Sequence, residues 1–102
     1  MDAIDRIREK LHPIFVKECI NSAVLFGSFA KGAEQENSDV DIVIDSNGVL
    51  VGLDFYRVLD EFVRALDCQV DLFDKSEIVP DSPVQKRIQS EGVLLYERKW
   101  DL

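Results

Sequence analysis

Asp39 and Asp41 stand two residues apart in the run Ser38-Asp39-Val40-Asp41-Ile42-Val43. On a β-strand, residues i and i+2 point to the same face about 7 Å apart, so this spacing presents two carboxylates side by side. Two carboxylates together with phosphate oxygens from a substrate are what Mg²⁺ accepts, because the ion is hard, prefers oxygen and keeps several waters. Upstream lies Gly27-Ser28-Phe29-Ala30-Lys31-Gly32. Gly27 lets the backbone come close to a ligand, Ser28 offers a hydroxyl and an amide, and Lys31 supplies a positive charge. At a helix start, where free N–H groups and the dipole favour anions, these three can hold the β and γ phosphates of a nucleotide.

The elements that position these groups follow from hydrophobic spacing. Ile4, Ile7, Leu11, Ile14 and Phe15 recur at helical steps and predict an amphipathic helix from about Asp2. Pro13 is expected to break or kink it near Leu11, leaving a short second segment to about Cys19. Ala23-Val24-Leu25-Phe26 reads as a buried strand that ends in a sharp turn at Gly27. Lys31 to Ser38 reads as a polar loop, with a helical turn opening at Ser28. Asp39 to Ile44 is a second strand, and Asp45-Ser46-Asn47-Gly48 a turn.

Phe55, Val58, Leu59, Phe62, Val63 and Leu66 form the clearest helical stripe, with Asp54 expected to cap its start. Val70 and Leu72 alternate with Gln69 and Asp71 in a third strand ending near Phe73. Asp74 and Glu77 have capping spacing and predict a turn or short helix. A last helix runs over about Pro83 to Ser90, stopped by Gly92, and Val93 to Tyr96 forms a fourth strand at a sheet edge. The fold class expected is α/β (α+β): a small mixed sheet of about four strands flanked by helices.

Bulk properties narrow the functions. The 102 residues are 46% hydrophobic and 31% charged, which fits one domain over 1–102 with a single modest core. The formal net charge of -8 disfavours a nucleic-acid partner, since such binding is driven by Lys and Arg on phosphates. A phosphate-bearing substrate therefore needs a local cation. No apolar run approaches a membrane span and the charged N-terminus lacks a signal-peptide core, so a cytoplasmic protein with no membrane partner is expected. Cys19 and Cys68 lie in apolar surroundings and read as two buried free thiols.

Taken together and in order, G-S-x-A-x-G, then S-D-x-D, resembles the signature of the DNA polymerase β-type nucleotidyltransferases, and the length resembles the minimal, MntA-like members. The resemblance covers almost the whole chain. It implies a third carboxylate on a neighbouring strand, a place that Gln69-Val70-Asp71-Leu72 matches. It also implies that Asp39, Asp41 and Asp71 are the catalytic and metal-binding residues, for Mg²⁺ and in all for two ions. Asp71 then either helps hold the catalytic metal or accepts the proton of the attacking hydroxyl. Gly27, Ser28, Lys31 and Ser38 become the nucleotide-binding residues, although many relatives carry arginine where Lys31 stands.

By the same resemblance, the donor is ATP and the partner is a HEPN-domain ribonuclease toxin, neutralised by adenylylation of a tyrosine. Two other readings stay open: an antitoxin that masks its partner without catalysis, and a transferase for a small-molecule or nucleic-acid acceptor held by a separate subunit. Intact Asp39, Asp41 and Asp71 favour catalysis over masking. The remaining polar residues read as ordinary structure. Asp74 is a cap, Asp45 a turn residue, His12 a surface histidine and Glu34-Gln35-Glu36 a solvated loop, while Trp100 suits either the core or a partner surface.

Overall fold

The computed structural model describes residues 3–27 and 39–98. In chain order the elements are α1 (Ala3–Lys17), β1 (Ser22–Phe26), β2 (Val40–Asp45), α2 (Leu53–Leu66), β3 (Val70–Asp74), a 3₁₀ turn (Lys75–Glu77), α3 (Pro83–Glu91) and β4 (Val93–Glu97). The strands form one sheet in the order β3-β2-β1-β4. β1 pairs antiparallel with β2 and with β4, whereas β2 and β3 are parallel. A parallel pair needs a long crossover, which α2 supplies. The expected mixed sheet flanked by helices is what forms.

Alternation along the strands sorts side chains to two faces. Val40, Ile42 and Ile44 of β2, with Ala23, Leu25, Val70, Leu72 and Leu95, are buried against Ile7, Leu11 and Phe15 of α1 and Val58 and Phe62 of α2. Asp41, Val43 and Asp45 therefore take the opposite face. α3 lies on that second face, where Ile88 shares a hollow with Val24 and Val43. Among the described residues no helix is long and apolar enough to cross a membrane.

Several local expectations are corrected. Pro13 does not break α1, which continues to Lys17. Leu11 and Phe15 anchor the helix in the core on either side of it, and Pro13 and Glu9 are exposed, so the lost backbone bond falls on the solvent side. Asp54 does not cap α2. Gly52 is the N-cap, with no side-chain bond, and Asp54 instead lies in the first helical turn. Gly92 ends α3 as expected, in an extended conformation at φ -66°. A Cβ there would come 2.3 Å from the Ile88 carbonyl oxygen and 2.7 Å from Val24 Cγ1, so close packing against the last turn of α3 and against β1 is what requires glycine. Both cysteines are free, but Cys19 is exposed and Cys68 only partly buried.

The end of α1 is tied to α2 by Lys17 with Glu61 and by Glu18 with Arg57. The buried Glu18 carboxylate accepts from Arg57 Nη1 at 2.7 Å and Nη2 at 3.0 Å, a bidentate pair. The Arg57 hydrogen bond holds Glu18 below its ordinary value, partly opposed by burial. A depressed carboxylate stabilises the fold above its unfolded value, and that contribution is lost as pH falls through the folded one. Glu18→Gln should thus lower the thermal midpoint near neutral pH by roughly 5 °C, with the difference vanishing in acid. Melting curves across pH check this, and a constant difference would assign the effect to packing.

Candidate active site

The second face of the sheet carries the acidic residues. In register across three strands stand Phe26 of β1, Asp41 of β2 and Asp71 of β3. Asp71 is thus the direct cross-strand neighbour of Asp41, and both point away from the α1–α2 core. Phe73 stands one row further along β3, and its ring approaches that of Phe26 to 5.8 Å between centroids, giving the carboxylates apolar neighbours on the same face. Asp39 lies just ahead of β2 and is exposed.

Asp41 is held in an unusual state. Burial, then the charge of Asp71 and a hydrogen bond with it, then the charge of Asp39, push its carboxyl up to about 6, from an ordinary 3.8. A carboxylate that is partly buried beside like charges ionises at a cost, so Asp41 keeps its proton to higher pH than an ordinary aspartate. One opposing influence comes from Arg87 of α3, whose charge lowers Asp41. Sequence reading took α3 only as a helix and missed this residue. The signal available was the need for a local cation in so acidic a chain.

Gly27 completes the arrangement. It follows β1 directly, adopts φ +76° and is buried. A Cβ built on it would stand 2.2 Å from Asp41 Oδ2. The Asp41 carboxylate therefore packs against the bare Cα of Gly27, in a space that any other residue would fill.

The structure brings together three of the expected site residues, Gly27, Asp41 and Asp71, with Asp39 near enough for its charge to reach Asp41. Ser28, Lys31 and Ser38 lie outside the described residues, as do Glu34-Gln35-Glu36 and Trp100. Among the described residues no group of three or more Asp, Glu, His or Cys is gathered closely enough to enclose a metal ion. Asp41 and Asp71 form a registered pair, with Asp39 just ahead of β2. The donor set is all carboxylate oxygen, and the burial and like charge that raise Asp41 are what a hard dication offsets, so the residues fit Mg²⁺. Asp74 is a structural residue, as expected: it is buried and accepts from Ser46 Oγ at 2.6 Å and from Ser76 N at 3.0 Å. Asp45 accepts from Asn47 N at 3.1 Å in the turn, and His12 is exposed, with its ring edge-on to Tyr96.

Comparison with known proteins agrees with this fold. The family model described as polymerase beta, nucleotidyltransferase, matches residues 9–101. MJ0435 of Methanocaldococcus jannaschii, described as a candidate protein adenylyltransferase, is 32% identical over 90 residues, covering 88% of this chain and 95% of its own. Among solved structures, a chain of a toxin-antitoxin complex with AMP-PNP superposes with a TM-score of 0.71 at 24% identity, covering 96% of this chain and 76% of that one. A chain from the complex of the tri-AMPylated Shewanella oneidensis HEPN toxin with its MNT antitoxin gives 0.69 at 20% identity, covering 93% and 73%. At such identities the structural likeness carries the fold. The family model and the M. jannaschii relative each span most of the sequence, and on them the chain belongs to the polymerase β nucleotidyltransferase family.

Proposed function

We propose that this nucleotidyltransferase moves AMP from ATP to a hydroxyl, that of a tyrosine, on a partner HEPN-domain ribonuclease toxin, and so acts in the cytoplasm as its antitoxin. The observation that carries the catalytic part is the Asp41–Asp71 register with Gly27 packed against it. The partner and acceptor rest on the family, on a relative described as a candidate protein adenylyltransferase and on a fold shared with an antitoxin.

In this reading Asp39, Asp41 and Asp71 hold Mg²⁺, two ions in all, and the metal when bound neutralises phosphate charge at the reacting centre. Gly27 allows the backbone to approach the nucleotide, and Ser28, Lys31 and Ser38 hold its phosphates. Arg87, reaching the site from α3, supplies the cation that an acidic chain needs beside a polyanion. The acceptor oxygen attacks the α-phosphorus in line, a P–O bond to the acceptor forms, the bond to the bridging oxygen breaks and pyrophosphate leaves. Asp71 takes the proton from the attacking hydroxyl.

The test is transfer from ATP labelled on either the α or the γ phosphate, with the chain, Mg²⁺ and its HEPN-domain partner. Label from the α position should become covalently attached to the partner, label from the γ position should not, and EDTA should abolish the signal. Transfer from the γ position would make the protein a kinase, and transfer that survives EDTA would remove the metal from the scheme.

A further inference from the structure

β3 is an edge strand, with β2 along one side and no strand along the other. Val40 N donates to Gln69 O at 3.1 Å, and backbone groups alternate sides along a strand, so Asp71 and Phe73 also turn theirs towards β2. The N–H and C=O groups of Val70 and Leu72 therefore face outward from the edge. Among the described residues no other segment bonds to them. The opposite edge strand, β4, differs, because Arg8 Nη2 of α1 already donates to the Leu94 carbonyl oxygen at 2.9 Å. An open row of strand donors and acceptors is a template for pairing with another chain, and sheets commonly cover, twist or charge such an edge.

The open edge has an apolar wall beside it. On the core side of the sheet, between β3 and the start of α2, lies a cavity of about 590 Å³, with Val51, Phe55, Tyr56 and Leu59 across from the strand. Ser46 Oγ donates to the buried Asp74 at 2.6 Å and accepts from Leu50 N at 3.3 Å, which fixes the turn before α2 against the end of β3. Val51 is 64%, Leu53 87% and Tyr56 65% exposed. A strand laid along β3 sends every second side chain to this wall while its backbone meets Val70 and Leu72, so both features select an extended segment with apolar residues at alternate positions. Charge selects its source. Glu77 lines the cavity, Asp71 stands on the other face of the strand, and among the described residues no Lys or Arg lines the cavity. A second copy, itself of net charge -8, would bring one acidic edge against another, so the complementary segment is basic and belongs to a different protein. We infer that the β3 edge and the α2 wall form a docking groove, in which a basic, extended segment of a partner protein adds a strand to the sheet. The inference does not depend on the reaction or the acceptor proposed above.

The test titrates the isotopically labelled chain with the model peptide Lys-Val-Lys-Val-Lys-Val-Lys and follows backbone amide shifts and hydrogen exchange. Amides of residues 51–59 and 70–74 should shift. Exchange at Val70 and Leu72 should slow about tenfold, because both N–H groups gain an acceptor. N-methylation of the peptide's valines or of its lysines, whichever set turns its amides to β3, should abolish binding. Val51→Lys and Glu77→Lys, both at exposed positions, should each weaken it about tenfold with the thermal midpoint unchanged. The groove assignment is overturned if the peptide perturbs another face or none, or if it binds while Val70 and Leu72 stay unprotected. It is equally overturned if Glu-Val-Glu-Val-Glu-Val-Glu binds as tightly, which would remove the charge argument. Protection of the same two amides on raising the protein concentration without peptide would make the occupant a second copy and overturn the partner assignment.

Discussion

Asp41→Asn should abolish nucleotide transfer and, in metal-free buffer, make the protein more heat-stable than wild type. The loss of activity follows from removing a proposed ligand charge from the centre of the row Phe26, Asp41, Asp71, and it should be on the order of a thousandfold, the ~4 kcal/mol that such charge stabilisation supplies. The gain in stability follows from the raised Asp41 value of about 6. Because this lies above the unfolded value, the folded chain binds a proton more readily than the unfolded chain between pH 4 and 6, and stability falls as pH rises through that window. Asparagine removes the penalty. The gain should therefore be absent at pH 4, complete above about pH 7, and offset by Mg²⁺, which stabilises wild type alone. Melting curves with EDTA and with Mg²⁺ across pH test this, and a variant less stable than wild type at pH 8 in EDTA would show that Asp41 is not strained by Asp71. Asp71→Asn shares the argument and also separates catalysis from masking. It should still bind the partner but neither label nor neutralise it, whereas neutralisation without labelling would make masking the mechanism.

That the acidic pair creates this tension was only half legible in the sequence. Period-two spacing was enough to place Asp39 and Asp41 on one strand face, and the alternation of Val70 and Leu72 with Asp71 put a third carboxylate on a strand. Which strand neighbours which is a long-range property. The β2–β3 register that sets Asp41 against Asp71 depends on α2 carrying the chain over to a parallel edge strand, and no local pattern encodes it. The same holds for Arg87, whose closeness to Asp41 comes from α3 crossing the second face of the sheet. Local rules failed where packing outweighed them. α1 runs through Pro13 because Leu11 and Phe15 hold both sides of it, and Gly92 serves contact with Val24 rather than backbone handedness. The cavity between α2 and the β3 edge was not legible at all, since its walls are residues 50–59 and 70–77, brought together by the crossover.

Gly27→Ala should reduce transfer by a hundredfold or more, on the order of 3 kcal/mol, although the residue contributes no functional group. Two separate costs meet at this position. A φ of +76° is strained for any residue with a side chain, by about 1–2 kcal/mol. The added methyl would also lie 2.2 Å from Asp41 Oδ2, well inside contact distance, so the carboxylate must leave its place opposite Asp71. The first cost falls on stability alone, whereas the second displaces a group proposed to bind metal, and positioning errors of about 1 Å are enough to cost a hundredfold in rate. A double-mutant cycle divides them. In an Asp41→Ala background the carboxylate is gone, so Gly27→Ala should retain only its backbone strain and destabilise less than it does in wild type. If the two substitutions were additive in stability, the methyl would not be meeting the carboxylate. If Gly27→Ala transferred AMP at the wild-type rate, the placement of Asp41 against this turn would have no part in the chemistry.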